Sequence, residues 1–139
     1  MNPLEERMVT CTVGELLVQL RLLEYGVQAS PPLKDSGNDL IAIRGTQFRA
    51  IQVKATRDAK SFSFDNKELK ERSYHVLALV QLVGENSRLT LDDCRIYLMP
   101  KEVVQKGYYN AVEELEEFER PLPLMDEYDQ LLGDSGVIQ

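Results

Sequence analysis

Two alternating apolar segments, 38–44 and 47–56, are separated by the dipeptide Gly45-Thr46, and no other feature narrows the possible folds of this chain as much. Two residues between such runs, with Gly first, predict a β-hairpin closed by a type II′ turn, whose first central residue needs the positive φ that Gly adopts without strain. That turn dictates a register: Arg44 opposite Gln47, Ile43 opposite Phe48, Ile41 opposite Ala50 and Asp39 opposite Gln52. Side chains alternate along a strand, so Gln52 and Lys54 leave one face while Ile51, Val53 and Ala55 leave the other. A carboxylate, an amide and an ammonium group are thereby expected on one patch. A hard divalent cation bound by side-chain oxygens beside a lysine would suit metal-assisted phosphodiester hydrolysis.

The rest of the chain supplies a frame for that hairpin. Apolar residues at 13, 16, 17, 20 and 23 have the spacing of one helical face, which predicts a helix over 12–25 stopped by Gly26. Val18, Leu22 and Tyr25 lie on its other side and predict that it is covered on more than one face. Residues 27–30 read as a short strand, and 34–37 as a polar loop. Residues 62–64 read as an edge segment or extended loop, and 65–72 as a brief helix opened by the capping pattern Asp65-x-x-Glu68. The nearly continuous apolar run 74–83 predicts a central strand buried on both faces. A turn-rich loop over 84–93 leads to a fifth strand at 94–99, and Pro100 opens a short helix over 101–106. The expectation is an α/β fold with a mixed sheet of about five strands flanked by helices in the order αβββαββα. At 139 residues, 43% of them hydrophobic, the chain suits one domain. Residues 1–112 form its core domain, and 113–139 are an acidic segment packed on the core or on a partner subunit.

Composition excludes several alternatives. Two cysteines, Cys11 and Cys94, and one histidine, His75, stand far apart, which argues against zinc chemistry or a disulfide framework. Both cysteines read as small core residues, and His75 as a satisfied core or edge histidine. Neither a signal-like start nor an apolar run of membrane-spanning length is present, so the expected location is the cytoplasm. The net charge of −7 argues against a nucleic-acid partner until it is divided. Residues 113–134 carry nine acids and one base, a local −8, and leave the remainder at +1. Residues 44–72 carry eight bases against four acids, a basic surround for the proposed patch that a phosphate backbone suits.

An acid in the first helix (Gly14-Glu15-Leu16), an acid entering the second strand (Gly37-Asn38-Asp39-Leu40) and Gln52-Val53-Lys54 on the third resemble the PD-(D/E)XK nuclease superfamily, over roughly residues 10–100. Gln replaces the usual acid at position 52, and no proline precedes Asp39. The Gln-x-Lys form resembles certain intron-encoded homing endonucleases, and Ser36-Gly37 and Gly14-Glu15 are also similar to archaeal-type Holliday-junction resolvases. The resemblance implies a restriction-endonuclease-like fold and Mg²⁺-dependent (or Mn²⁺-dependent) cleavage of DNA. Asp39, Gln52, the Val53 carbonyl and Glu15 would hold the metal, with Lys54 at the attacking water. Lys34, Ser36, Arg57 and Lys60, on flanking loops, would contact neighbouring phosphates. A homodimer or higher homo-oligomer would let two strands be cut.

Each of these residues also has a plainer reading. Thr12-x-x-Glu15 is a capping box, in which the carboxylate merely satisfies a helix N–H. Asp39 and Gln52 form a cross-strand pair that needs no ligand, and the whole is then a nuclease fold that no longer cuts and serves as a nucleic-acid or protein-binding module. Against this stands the cost of bringing Asp, Gln and Lys together on an inward face without a partner.

Overall fold

The computed structural model describes residues 5–33, 39–57, 72–85, 88–90, 93–106 and 118–119. Helix α1 spans Glu6–Glu24 and therefore starts about two turns before the expected residue 12. Val9 and Val13 are half-buried and extend the Leu17 row upstream at i, i+4 spacing, so the amphipathic pattern begins before Thr12. Glu5 is the N-cap residue and makes no side-chain cap bond. The helix closes at Gly26, φ +80°, with the Val27 N–H donating to Leu22 O and the Gly26 N–H to Leu23 O, both at 2.9 Å. This is a Schellman ending, which only a residue tolerant of positive φ completes cheaply.

Of the two apolar faces of α1 expected to be covered, the one with Val18, Leu22 and Tyr25 is the buried one. Gly14, Val18, Arg21 and Leu22 face the protein, while Leu16, Leu20 and Leu23 are 57%, 49% and 60% exposed. The expectation of cover on more than one face fails for this outer stripe. Both sides of the helix are apolar, and the side bearing Gly14 is the one that allows a close approach to the sheet.

Strands β1 (Gln28–Ser30), β2 (Leu40–Arg44), β3 (Gln47–Thr56), β4 (Val76–Gln81) and β7 (Arg95–Pro100) form one mixed sheet in the order β1-β2-β3-β4-β7. Strands β3 and β4 run parallel and the other neighbours antiparallel. The hairpin pairs as expected, Leu40 with Ile51, Ile41 with Ala50 and Arg44 with Gln47. Gly45 has φ +62°, and no described non-Gly residue has positive φ, so Thr46 meets the requirement of a II′ turn and not of I′.

Alternation divides the core into two layers. Leu40, Ala42, Ile51, Val53, Val76, Ala78, Val80, Ile96 and Leu98 pack under Val18, Leu22 and Tyr25. Leu77, Leu79, Tyr97 and Met99 point the other way, against Tyr74, Val104 and Phe118. Every residue of β4 is buried, as a central strand covered on both faces should be. Each such Leu or Val contributes roughly 1.5–3 kcal/mol relative to an exposed position.

Within 84–93, expected as loop, Gly84–Glu85 (β5) and Arg88–Leu89 (β6) pair as a small hairpin. Segments too short to show periodicity carry no strand signal. Pro100 ends β7 instead of opening a helix, and α2 follows as Lys101–Lys106. The segments expected at 62–64 and 65–71 lie outside the described residues, as does 113–139 apart from Phe118 and Glu119. Among the described residues, no helix is long and apolar enough to cross a membrane.

Candidate active site

The site arises where β3 outlasts its neighbour. Strand β2 begins at Leu40, opposite Ile51, whereas β3 runs on to Thr56 with β4 alongside through Gln81. Asp39 stands at the point of divergence, its own N–H donating to Ile51 O at 3.1 Å. Its Oδ2 accepts the Val53 N–H and the Gln52 Nε2–H, each at 2.8 Å. The carboxylate thus takes over, for Val53, the role that a ladder carbonyl of β2 would have filled. The predicted juxtaposition of Asp39 and Gln52 is present as a direct hydrogen bond.

Gln52 is 3% exposed, and its Oε1 is buried without a hydrogen-bond partner among the described residues. An amide that satisfies a carboxylate with its nitrogen while its oxygen stays unpaired is costly unless something else supplies a donor or a positive charge. Lys54 is half-buried and follows Gln52 on the same face by strand alternation.

Glu15 approaches from α1. A Cβ built on Gly14 would stand 2.6 Å from Ala55 Cβ and 3.9 Å from Val53 Cγ1, so helix and strand nearly touch there. The next residue, Glu15, is brought to the same cleft as Asp39, Gln52, Val53 and Lys54. Burial first, and then the Asp39 carboxylate, raise the Glu15 pKa above the ordinary carboxylate range. The capping-box reading of Glu15 is overturned, because Thr12 lies inside α1 and not at its N-cap.

The cleft has a volume of about 720 Å³ and is also lined by Thr56, Arg57, Arg72, Arg7 and Glu6. Arg57, expected to meet phosphate, lies in its wall, donating from Nε to Thr10 Oγ1 at 3.1 Å. Lys34, Ser36 and Lys60 lie outside the described residues. Cys11, expected in the core, is exposed and lines the cleft one helical turn before Glu15, whereas Cys94 is buried as expected. Sequence reasoning missed Glu6, Arg7, Thr10 and Arg72; the upstream row Val9, Val13, Leu17 was the signal that would have put the first three on a helix beside β3. His75 is an exposed edge histidine whose Nδ1 accepts the Ala50 N–H at 2.9 Å, and it lies outside the cleft.

Two carboxylates, an amide oxygen and a backbone carbonyl are hard donors suited to Mg²⁺ or Mn²⁺ and poorly suited to zinc. Among the described residues, no group of three His, Cys, Asp or Glu side chains is placed to hold a metal.

No family model matches the chain, and no curated protein does. Among solved structures, the chain is similar to a bacterial homing endonuclease, I-Ssp6803I, with 15% sequence identity and a TM-score of 0.55 over 78% of this chain and 75% of that one. At that identity the likeness is one of fold: the five-stranded mixed sheet with α1 against it is an α/β domain of homing-endonuclease-like architecture.

Proposed function

We propose that this protein is a Mg²⁺- or Mn²⁺-dependent DNA endonuclease of the PD-(D/E)XK type in its Gln-x-Lys form, acting in the cytoplasm as a homodimer or higher homo-oligomer. The observation that carries the reading is the unpartnered, buried Gln52 Oε1 beside Asp39, in one cleft with Glu15 and Lys54. That orphaned oxygen is where a cation would complete the amide's bonding. The similarity of fold to a homing endonuclease supports a nucleic-acid substrate.

In this reading Asp39, Gln52 Oε1 and the Val53 carbonyl would hold the metal, with Glu15 as a further carboxylate of the same cleft. When bound, a divalent cation of this kind polarises the phosphoryl oxygens and lowers the pKa of a coordinated water. Lys54 places positive charge beside the phosphate as the attacking oxygen closes on phosphorus, and orients that water by hydrogen bonding. Asp39 also fixes β3 through the Val53 N–H, so the ligand set is held by backbone and not by loose side chains.

The test is Mg²⁺- and Mn²⁺-dependent cleavage of plasmid, linear, single-stranded and four-way-junction DNA, with Lys54→Ala purified in parallel. The native protein is expected to cut, and Lys54→Ala to lose about 10²–10³-fold in rate while keeping its fold. Cleavage that survives Lys54→Ala would overturn the mechanism.

One observation favours a second reading. Asp39 Oδ2 already accepts two hydrogen bonds, so the carboxylate is satisfied without a cation. A nuclease fold that no longer cuts, and binds nucleic acid or protein, accounts for that. Mn²⁺ binding measured by calorimetry and lost in Asp39→Ala favours the enzyme; its absence from the native protein favours the binding module.

A further inference from the structure

The cleft has a far end that the hydrolytic residues do not use. There the first turns of α1 and the end of β3 bring Arg7 and Arg57 into one wall. Arg57 follows Gln52 by five residues, about 16 Å along an extended strand. That is beyond the reach of one side chain, so Arg57 and Gln52 cannot serve the same phosphate. The Arg57 side chain is only 22% exposed, its Nε is spent on Thr10, and its Nη1 is buried with no acceptor among the described residues. A largely desolvated guanidinium with an unsatisfied N–H is an anion site awaiting an anion. Among the described residues its carboxylate neighbour is Glu6, 4.0 Å from Nε and 64% exposed, at the outer limit of an ion pair and in solvent that makes it weak.

We infer that this end of the cleft is an anchor for a backbone phosphodiester flanking the scissile one on the same nucleic-acid strand. Arg57 grips the phosphate, Thr10 aims the guanidinium, Arg7 adds positive charge, and Glu6 is the internal anion that the phosphate displaces. The anchor rests on the nucleic-acid reading of the cleft but not on catalysis. The alternative is a structural tie in which Glu6, Thr10 and Arg57 merely fasten α1 to β3. The two accounts give opposite signs for Glu6→Gln. An anchor freed of its competing acid binds more tightly, whereas a broken tie loses stability and gains nothing.

The experiment is fluorescence anisotropy of labelled single-stranded and duplex oligonucleotides with the full chain in chelator, across a series of NaCl concentrations. Glu6→Gln is expected to tighten binding several-fold. Arg57→Gln and Arg7→Gln are expected to weaken it and to flatten the log–log salt dependence by roughly 0.7–0.9 per lost contact. Arg57→Lys, which keeps the charge, retains the slope, and Arg7 is exposed, so its replacement leaves the fold intact. Native slopes in both arginine-to-glutamine variants, or a Glu6→Gln protein that melts earlier and binds no better, would overturn the anchor while leaving a cutting enzyme untouched. A native protein that binds with the expected slope changes yet never cuts supports the anchor and removes the nuclease. One that does not bind at all overturns both.

Discussion

Gly14 and Ala55 lie so close that a methyl group added to the glycine would stand 2.6 Å from Ala55 Cβ. Neither partner is the end of a flexible side chain, so the strain of a Gly14→Ala change falls on the backbones of α1 and β3. The variant is expected to lose about 1–3 kcal/mol of stability by overpacking, despite the better helix propensity of alanine. Because Glu15 follows directly, it should also lose cleavage or metal affinity beyond what its stability explains. Ala55→Gly introduced into the same chain removes the colliding methyl and should restore most of both. Denaturant midpoints for the two single variants and the double variant check this as a cycle; additive losses would show that the contact is not what sets the approach.

Glu15 makes a pH-dependent contribution whose sign follows from its surroundings. Burial and the neighbouring Asp39 raise its pKa in the folded chain, so the folded state holds this proton more tightly than the unfolded state. The contribution is therefore fully present below the unfolded pKa and is lost as pH rises through the folded one. In chelator, Glu15→Gln should be at least as stable as the native protein at neutral pH, and the difference should vanish in acid. Urea midpoints measured across that range decide the matter. A variant clearly weaker at neutral pH would mean that the ionised carboxylate has a stabilising partner.

Tyr74 is 5% exposed, with its hydroxyl buried and unpartnered and the Lys101 ammonium 5.0 Å from the ring centroid. Burial also raises the pKa of that hydroxyl. Tyr74→Phe removes a polar group that pays for desolvation without a bond, and leaves the ring beneath Lys101. The expected result is unchanged stability or a gain of up to about 1 kcal/mol. A loss of more than that in thermal unfolding would reveal a water or other donor on the hydroxyl.

How much of this was legible in the sequence depended on whether one local rule or several competing ones governed each segment. The hairpin register was readable because the two-residue turn at Gly45-Thr46 fixes it, and a one-residue slip would turn Leu40, Ala42, Ile51 and Val53 out of the core. The buried strand β4 was readable from its unbroken apolar run. The face of α1 was not, since Leu16, Leu20 and Leu23 and the row Val18, Leu22, Tyr25 are equally apolar, and the choice between them rests on the contact of Gly14 with Ala55, which is far away in sequence. The start of α1 was misplaced because Thr12-x-x-Glu15 imitates a capping box. That error also hid Glu6, Arg7 and Thr10 from the cleft. The meeting of Asp39, Gln52 and Lys54 in one cleft was readable because a hairpin carries its side chains at fixed spacing, whereas Arg72 reaches the cleft through tertiary folding that no spacing announces.

Gln52→Glu tests the centre of the site in one substitution. The new carboxylate would replace an amide that now donates to Asp39 at 2.8 Å from a position only 3% exposed. Without metal, two carboxylates in that space cannot both ionise cheaply, and one must keep a proton or repel the other. The variant should therefore be less stable than the native protein by about 1–3 kcal/mol in chelator at neutral pH. With Mn²⁺ the sign should turn, because the added charge becomes a ligand, and stabilisation by a bound cation grows with its affinity as RT ln(1 + [L]/Kd). Thermal unfolding with and without Mn²⁺ should thus show a larger metal-dependent rise in Tm for Gln52→Glu than for the native chain. Equal rises would mean that the side chain at 52 is not a ligand.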